Sequence, residues 1–315
     1  MRRKAIIISL SGYYLSQKEK NLMKEEKPWG IILFKRNIES FKQTQKLINS
    51  VRNIMRDNKY PILIDEEGGQ VCRMSKFFDN SAYSQKLFGD IFIKNQKLSL
   101  NLYSNYINTI CSIFKLLGIN INTVPVLDLL KEETHKVIGN RSFSNNKKII
   151  KKLGSLCIDI YKKNRISTVI KHIPGHGSAT VDSHKKLPKV NINFKYLSKF
   201  DFDCFRGMNS QFAMTAHVLY SKIDKNNVST HSETIISKII RKKIGFRGIL
   251  ISDDISMKAL KYDLITNALK SLKAGCNLVL YCSGKYNESK KLLKHIPLID
   301  SFTKKKTSEF YKFLS

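Results

Sequence analysis

The chain has 315 residues, of which 42% are hydrophobic, and its 56 Lys+Arg against 25 Asp+Glu give a formal net charge of +31. That hydrophobic content supports a large buried core, which excludes a disordered chain. The apolar runs all fall short of the ~18–20 residues that a membrane-spanning helix requires, so the sequence also excludes an integral membrane protein.

The positive charge is spread along the chain instead of being gathered into one arm. The densest lysine runs, at residues 147–152 and 304–306, are typical of solvated helix faces or of a tail. Nucleic-acid binding is the alternative, since basic proteins attract phosphates. A patch for phosphates is usually clustered and interleaved with aromatic residues, however. We therefore expect a lysine-rich surface without a nucleic-acid partner.

Neither the cysteines nor the first residues indicate an exported protein. The six cysteines are scattered, without the short spacing of a zinc ribbon, so we expect buried, reduced thiols. Residues 1–9 imitate a signal peptide, but the apolar stretch is short and no small-residue cleavage site follows it. A first buried strand is the better interpretation, and we expect a cytoplasmic protein.

Eight short apolar runs recur along the chain, as expected of strands that are buried on both faces. They occupy residues 5–9, 31–34, 61–64, 119–126, 167–170, 211–216, 248–252 and 277–281.

Segments with helical periodicity lie between several of these runs. Residues 40–57 carry an apolar stripe with Ser40 as a plausible N-cap, and a second stripe at residues 103–117 precedes Gly118 as a stop. Further stripes lie at residues 149–160, 235–240 and 264–272.

Alternation of eight strands with helices predicts a single α/β domain over residues 1–315, closed as a (β/α)₈ barrel. A doubly wound open sheet is the alternative, although no glycine fingerprint follows the first strand.

Ionisable residues follow four of the predicted strands. They are the run DEEGG at residues 65–69, the run KHIPGHG at 171–177, His217, and the pair Asp253-Asp254. A single aspartate at a strand end is often only a helix cap. In a parallel barrel, however, all carboxyl ends of the strands meet at one mouth, where active sites lie. Four such ends together predict an active site.

The loop after the fifth predicted strand offers a proton-transfer pair. Residues 176–184 are rich in small side chains, so we expect a mobile loop that could close over a substrate. Asp182 could hold one nitrogen of His184, fix its tautomer and raise its basicity, leaving the other nitrogen to exchange protons. The alternative is that both residues merely cap the next helix.

A metal site is a rival interpretation, because His172, His176, His184 and His217 are four of only seven histidines. The spacing of His172 and His176 would suit a helix, but Pro174 and Gly175 interrupt one. We expect neither a metal nor a cofactor.

Together these motifs resemble those of the family 3 glycoside hydrolases, and within them the cytoplasmic β-N-acetylhexosaminidases of the NagZ type. The likeness runs in order from about residue 30 to residue 284. It rests on GIILFKRN at 30–37, DEEGG at 65–69, PVLD at 125–128, IGNRSF at 138–143, KHIPGHG at 171–177, DSH at 182–184, MTAH at 214–217, ISDDISM at 251–257 and AGCN at 274–277.

The resemblance implies a (β/α)₈ barrel and a retaining, two-step mechanism. Asp253 matches the nucleophile, whose carboxylate forms a covalent glycosyl intermediate. His184 matches the unusual acid/base of this family, with Asp182 as its partner. Asp254 would be a structural neighbour.

The same likeness implies roles for residues around the sugar. Asp65 should accept hydrogen bonds from hydroxyl groups, and donors to the hydroxyl groups or the N-acetyl oxygen should be Arg73, Arg141, Lys171 and His172. Residues that shape the site would be His176, His217 and Asp128, the last of which could orient Arg141. Gln70 is a departure, since the family commonly has Arg there.

The sequence thus predicts a cytoplasmic, monomeric exo-β-N-acetylglucosaminidase that removes terminal N-acetylglucosamine from peptidoglycan-derived muropeptides. Two alternatives stay open: a phosphorylase of the same family, and a nucleic-acid-binding protein on a degenerate barrel.

Overall fold

Eight parallel strands close into a barrel in the computed structural model, which describes residues 2–132, 134, 138–179, 181, 183 and 186–315. The barrel strands are β1 (Lys4–Ser9), β2 (Pro28–Leu33), β3 (Ile62–Ile64), β4 (Ile121–Asn122), β5 (Ser167–Ile173), β7 (Phe212–Thr215), β9 (Ile249–Asp254) and β10 (Leu278–Tyr281). A separate parallel pair is formed by β6 (Lys189–Val190) and β8 (Leu219–Tyr220).

The order around the barrel is β1-β10-β9-β7-β5-β4-β3-β2, and β1 closes the ring by pairing with β10 from Ile6↔Val279 to Ile8↔Tyr281. The barrel prediction is confirmed, and the open doubly wound sheet is wrong because the sheet has no free edge. Each of the eight apolar runs overlaps one barrel strand. These strands are rich in isoleucine, valine and leucine because one face fills the barrel and the other packs under helices.

Helices alternate with the barrel strands. They are α1 (Gln17–Glu26), α2 (Phe41–Met55), α3 (Gln85–Lys94), α4 (Gln96–Leu117), α5 (Lys147–Lys163), α6 (Phe194–Lys199), α7 (Leu264–Ala274), α8 (Tyr286–His295) and α9 (Ser301–Phe313). The predicted caps of two helices are confirmed. Ser40 accepts a hydrogen bond from the Gln43 amide at 3.2 Å, and Gly118 ends α4 with φ 89°.

The stripe predicted at residues 235–240 is helical, but the segment Ile235–Ile244 winds as a π-helix. Its isoleucines still form a buried face, so the hydrophobic pattern is satisfied with wider hydrogen-bond spacing.

Aromatic rings close the amino end of the barrel. Trp29 of β2 and Phe212 of β7 pack edge to face at 5.7 Å between ring centroids, and Phe310 of α9 lies 5.4 Å from Phe212. The Trp29 indole N–H donates to Thr307 Oγ1 at 2.9 Å. Helix α9 therefore forms the floor of the barrel, and the opposite end carries the mouth.

The six cysteines are free thiols, and five of them are buried. Within the described part of the chain, no helix combines the length and the apolar character needed to cross a membrane.

Candidate active site

A cavity of about 630 Å³ opens at the carboxyl ends of the barrel strands. Asp65 and Glu67 enter it directly after β3, Lys171 and His172 from the end of β5, and Asp253 from the end of β9. Parallel strands bring these separated positions together because their carboxyl ends share one rim.

Alternating charges form one wall of this cavity. Arg73 Nη2 lies 3.4 Å from Asp65 Oδ2, and Lys171 Nζ lies 2.9 Å from Asp65 Oδ1. The same Nζ lies 2.5 Å from Glu67 Oε1, and Arg141 Nε lies 2.7 Å from Glu67 Oε2. Three cations and two carboxylates thus form an unbroken chain of ion pairs.

These pairs keep both carboxyl groups ionised. Burial by itself raises the pKa of Asp65, but Lys171 and Arg73 outweigh it and hold that pKa well below its usual range. Burial likewise raises the pKa of Glu67, yet Arg141 and Lys171 lower it to about 2. The wall therefore presents charged donors and acceptors at neutral pH, which give the stronger hydrogen bonds to polar ligands.

A buried carboxylate, Asp128, supports the histidines beside this wall. His172 Nδ1 donates to Asp128 Oδ2 at 2.6 Å, and the His176 amide donates to Asp128 Oδ1 at 2.6 Å. The other ring nitrogen of His172, Nε2, lies 3.5 Å from Arg141 Nη2.

The His176 ring is buried, and its Nδ1 has no hydrogen-bond partner among the described residues. Burial lowers the pKa of His176 to about 4, despite the nearby Asp128 carboxylate. His176 is therefore a neutral imidazole at pH 7.

Asp253 and Asp254 differ in their surroundings. The Asp254 amide donates to Asp253 Oδ1 at 2.8 Å. The Asp254 carboxylate accepts from the Ser256 hydroxyl at 2.7 Å and from the Cys282 amide at 3.2 Å, and burial raises its pKa. Asp254 is thus tied to the next loop and to the end of β10.

His217 lies beneath this pair. Its Nε2 donates to the Asp254 carbonyl at 3.0 Å, its Nδ1 accepts from Thr230 Oγ1 at 2.7 Å, and burial lowers its pKa. A neutral imidazole in this place fixes the backbone that carries the two aspartates.

The structure brings most of the sequence-predicted residues to one cavity. Those that line it are Asp65, Arg73, Arg141, Lys171, His172, His176 and Asp253. Asp128 and His217 lie behind that layer and hold it through the hydrogen bonds described above. Asp182 and His184 lie outside the described residues. Ser183, which stands between them in the sequence, lines the cavity.

Glu67, which contacts both Arg141 and Lys171, had no role predicted from the sequence. The available signal was its position two residues after Asp65, since alternate residues of an extended segment share a side. Arg141, expected to be oriented by Asp128, has the Glu67 carboxylate bound to its guanidinium.

Across the ranges that the structure describes, no group of three or more His, Cys, Asp or Glu side chains is arranged to hold a metal ion.

A closed (β/α)₈ barrel with carboxylates, cations and neutral imidazoles at its mouth defines an enzyme that acts on a polar small molecule. Comparison with known proteins identifies the family of enzymes to which the chain belongs. The model of the glycosyl hydrolase family 3 N-terminal domain matches residues 5–301, so the chain belongs to glycosyl hydrolase family 3. It is therefore a glycoside hydrolase.

The chain is also similar to curated proteins named β-hexosaminidase. The chain is 32% identical over 283 residues to a β-hexosaminidase of Methylobacillus flagellatus, covering 88% of this chain and 80% of that protein. It is 33% identical over 287 residues to the β-hexosaminidase of Haemophilus influenzae, covering 89% and 79%.

Among solved structures, NagZ from Neisseria gonorrhoeae in complex with N-trifluoroacetyl-D-glucosamine superposes with a TM-score of 0.88 at 26% identity. The match covers 100% of this chain and 91% of that one.

Proposed function

We propose that the chain is a retaining exo-β-N-acetylglucosaminidase that releases terminal N-acetylglucosamine from peptidoglycan-derived muropeptides, with residues 1–315 forming one catalytic domain. The observation that carries the proposal is the juxtaposition in one cavity of Asp253 with the charged wall of Asp65, Lys171 and Glu67. The names of the relatives support the hexosamine specificity.

The charged wall suits a sugar because a pyranose presents several directional hydroxyl groups to its binding site. Asp65 accepts from hydroxyl groups, while Arg73, Arg141 and Lys171 donate to hydroxyl oxygens or to the N-acetyl oxygen. His172 contributes a ring nitrogen at the same side of the cavity.

In the first chemical step, the Asp253 carboxylate attacks the anomeric carbon and forms a glycosyl ester, while the bond to the leaving oxygen breaks. The imidazolium of His184, paired with Asp182, gives its proton to that oxygen. In the second step the neutral imidazole takes a proton from water, which attacks the anomeric carbon and releases Asp253. Ser183, which lines the cavity, stands between Asp182 and His184 in the sequence, and this supports the assignment.

The proposal is tested by turnover and by a covalent trap. The wild-type chain should hydrolyse an aryl N-acetyl-β-D-glucosaminide and shorten muropeptides by one terminal sugar. Incubation with a 5-fluoro N-acetylglucosaminyl fluoride, followed by peptide mass spectrometry, should place the sugar on Asp253. Asp253→Asn is the control and should remain unlabelled.

A label on another residue would overturn the assignment of the nucleophile, and absence of turnover would overturn the proposed activity. The same assay repeated with inorganic phosphate separates hydrolysis from phosphorolysis, because a phosphorylase releases the sugar 1-phosphate instead of the free sugar.

A further inference from the structure

We propose that Glu67 is a positioning residue, which sets the spacing between Lys171 and Arg141 so that both cations face the bound sugar. This inference rests on the proposed function, because it assigns how the sugar-binding donors of that site are held in place.

Both oxygen atoms of Glu67 are engaged by cations. Oε2 accepts from Arg141 Nε at 2.7 Å. Oε1 accepts from Arg141 Nη2 at 2.9 Å and lies 2.5 Å from Lys171 Nζ. The bidentate contact fixes the plane of the guanidinium, and the shared oxygen links that plane to the ammonium group. One carboxylate therefore sets the relative position of two donors that come from different segments of the chain.

Asp65, the other carboxylate of the wall, differs from Glu67 in its exposure and in its contacts, as expected if Asp65 binds the sugar and Glu67 positions the cations. Its side chain is 16% exposed, whereas that of Glu67 is 1% exposed. Asp65 Oδ1 accepts from Lys171 and Thr123, while Oδ2 has only a 3.4 Å contact to Arg73 among the contacts described. Asp65 can therefore still accept a hydrogen bond from a ligand in the cavity, whereas both oxygen atoms of Glu67 already contact the two cations.

Replacement of Glu67 by glutamine removes the charge while keeping the shape. With the amide oxygen in the shared position, it still accepts from Arg141 Nη2 and Lys171, but the amide N–H₂ then faces Arg141 Nε as a second donor, so the bidentate contact with the guanidinium is lost. Lys171 keeps its contact with Asp65 at 2.9 Å, so the larger displacement should fall on Arg141. Because substrate contacts are lost in the complex and in the transition state alike, the loss should appear mainly in KM.

The test is a double-mutant cycle measured on an aryl N-acetyl-β-D-glucosaminide. Glu67→Gln should lower kcat/KM by about 100-fold, mainly through KM, and in an Arg141→Ala background it should cost less than about fivefold. Glu67→Asp keeps the charge but shortens the side chain by one methylene group, which moves the carboxylate away from both cations. We expect this variant to raise KM as well. This second variant keeps the test open if the glutamine variant does not fold.

Glu19→Gln is the matched control. Glu19 is another buried glutamate, which accepts hydrogen bonds from Ser11 and Ser16 near the start of α1 and does not line the cavity. We expect it to lower the melting temperature and to change kcat/KM by less than about twofold.

If Glu67 were merely structural, both of its variants would behave like Glu19→Gln, and their effects would add to that of Arg141→Ala. Either result overturns the inference. A wild-type chain without turnover on the aryl glycoside would instead overturn the proposed function, so the two failures are distinguishable.

Discussion

A buried carboxyl group beside the cavity, Glu66, should make the stability of the fold depend on pH. Glu66 is not among the residues that line the cavity, and its Oε2 accepts the amide N–H of Arg73 at 2.9 Å and of Met74 at 3.0 Å. Burial outweighs these bonds and raises the pKa of Glu66 to about 7. The folded chain thus keeps a proton that the unfolded chain, with an ordinary glutamate, releases at lower pH.

The sign and size of the effect follow from these two pKa values. Between pH 4.5 and 7 the folded state binds more protons than the unfolded state, so the free energy of unfolding falls as the pH rises. At about 1.4 kcal/mol for each pH unit, the gap between 4.5 and about 7 corresponds to about 3 kcal/mol. Glu66→Gln removes this titration, while its amide oxygen still accepts from Arg73 and Met74.

Urea unfolding of the wild type and of Glu66→Gln across pH 4.5–8 tests this prediction. The contributions of other titrating groups cancel in the difference between the two free energies of unfolding. The wild type should lose about 3 kcal/mol relative to the variant as the pH rises. A difference that stays constant across this range would refute it. The variant should also keep kcat/KM within about threefold, whereas loss of a catalytic proton donor would cost about 10²–10⁴-fold.

Three further variants probe the chemistry and the floor of the barrel. Asp253→Ala should lower kcat by at least about 10⁴-fold with an unchanged circular dichroism spectrum, and appreciable turnover would move the nucleophile elsewhere. His184→Ala should slow glycosides with poor leaving groups by about 10²–10⁴-fold and activated aryl glycosides far less; equal losses would contradict a proton donor. Phe310→Ala should cost about 3–5 kcal/mol in urea unfolding, and a loss below about 1 kcal/mol would show that the floor is not close-packed.

The barrel could be predicted because its strands are buried on both faces and therefore read as short apolar runs. Residues 61–64 and 248–252 carry this signal plainly, and each is followed by the acidic residues that enter the cavity. Strand direction then brings those residues to one rim. The strands β6 and β8 were not predicted, because each has only two residues and lies outside the eight apolar runs, whereas the equally short β4 lies inside the run at residues 119–126.

The ion pairs within the site were harder to predict than the residues that form the site. Glu67, Arg141 and Lys171 come from three separate segments, and which carboxylate meets which cation depends on side-chain reach across the barrel. The spacing of these residues in the sequence does not indicate the distances between their side chains. The π-helical winding of Ile235–Ile244 was hidden for a related reason, since a buried isoleucine stripe does not reveal which carbonyl each amide contacts.

The aromatic floor has a consequence for how the molecule is made. The barrel cannot close until β10 is available to pair with β1, and α9 follows both strands in the chain. A ribosome delivers residues from the amino end, so the cavity side chains emerge well before the elements that complete their scaffold. Until α9 has left the exit tunnel, the rings of Trp29 and Phe212 lack the Phe310 ring that packs against them in the finished barrel.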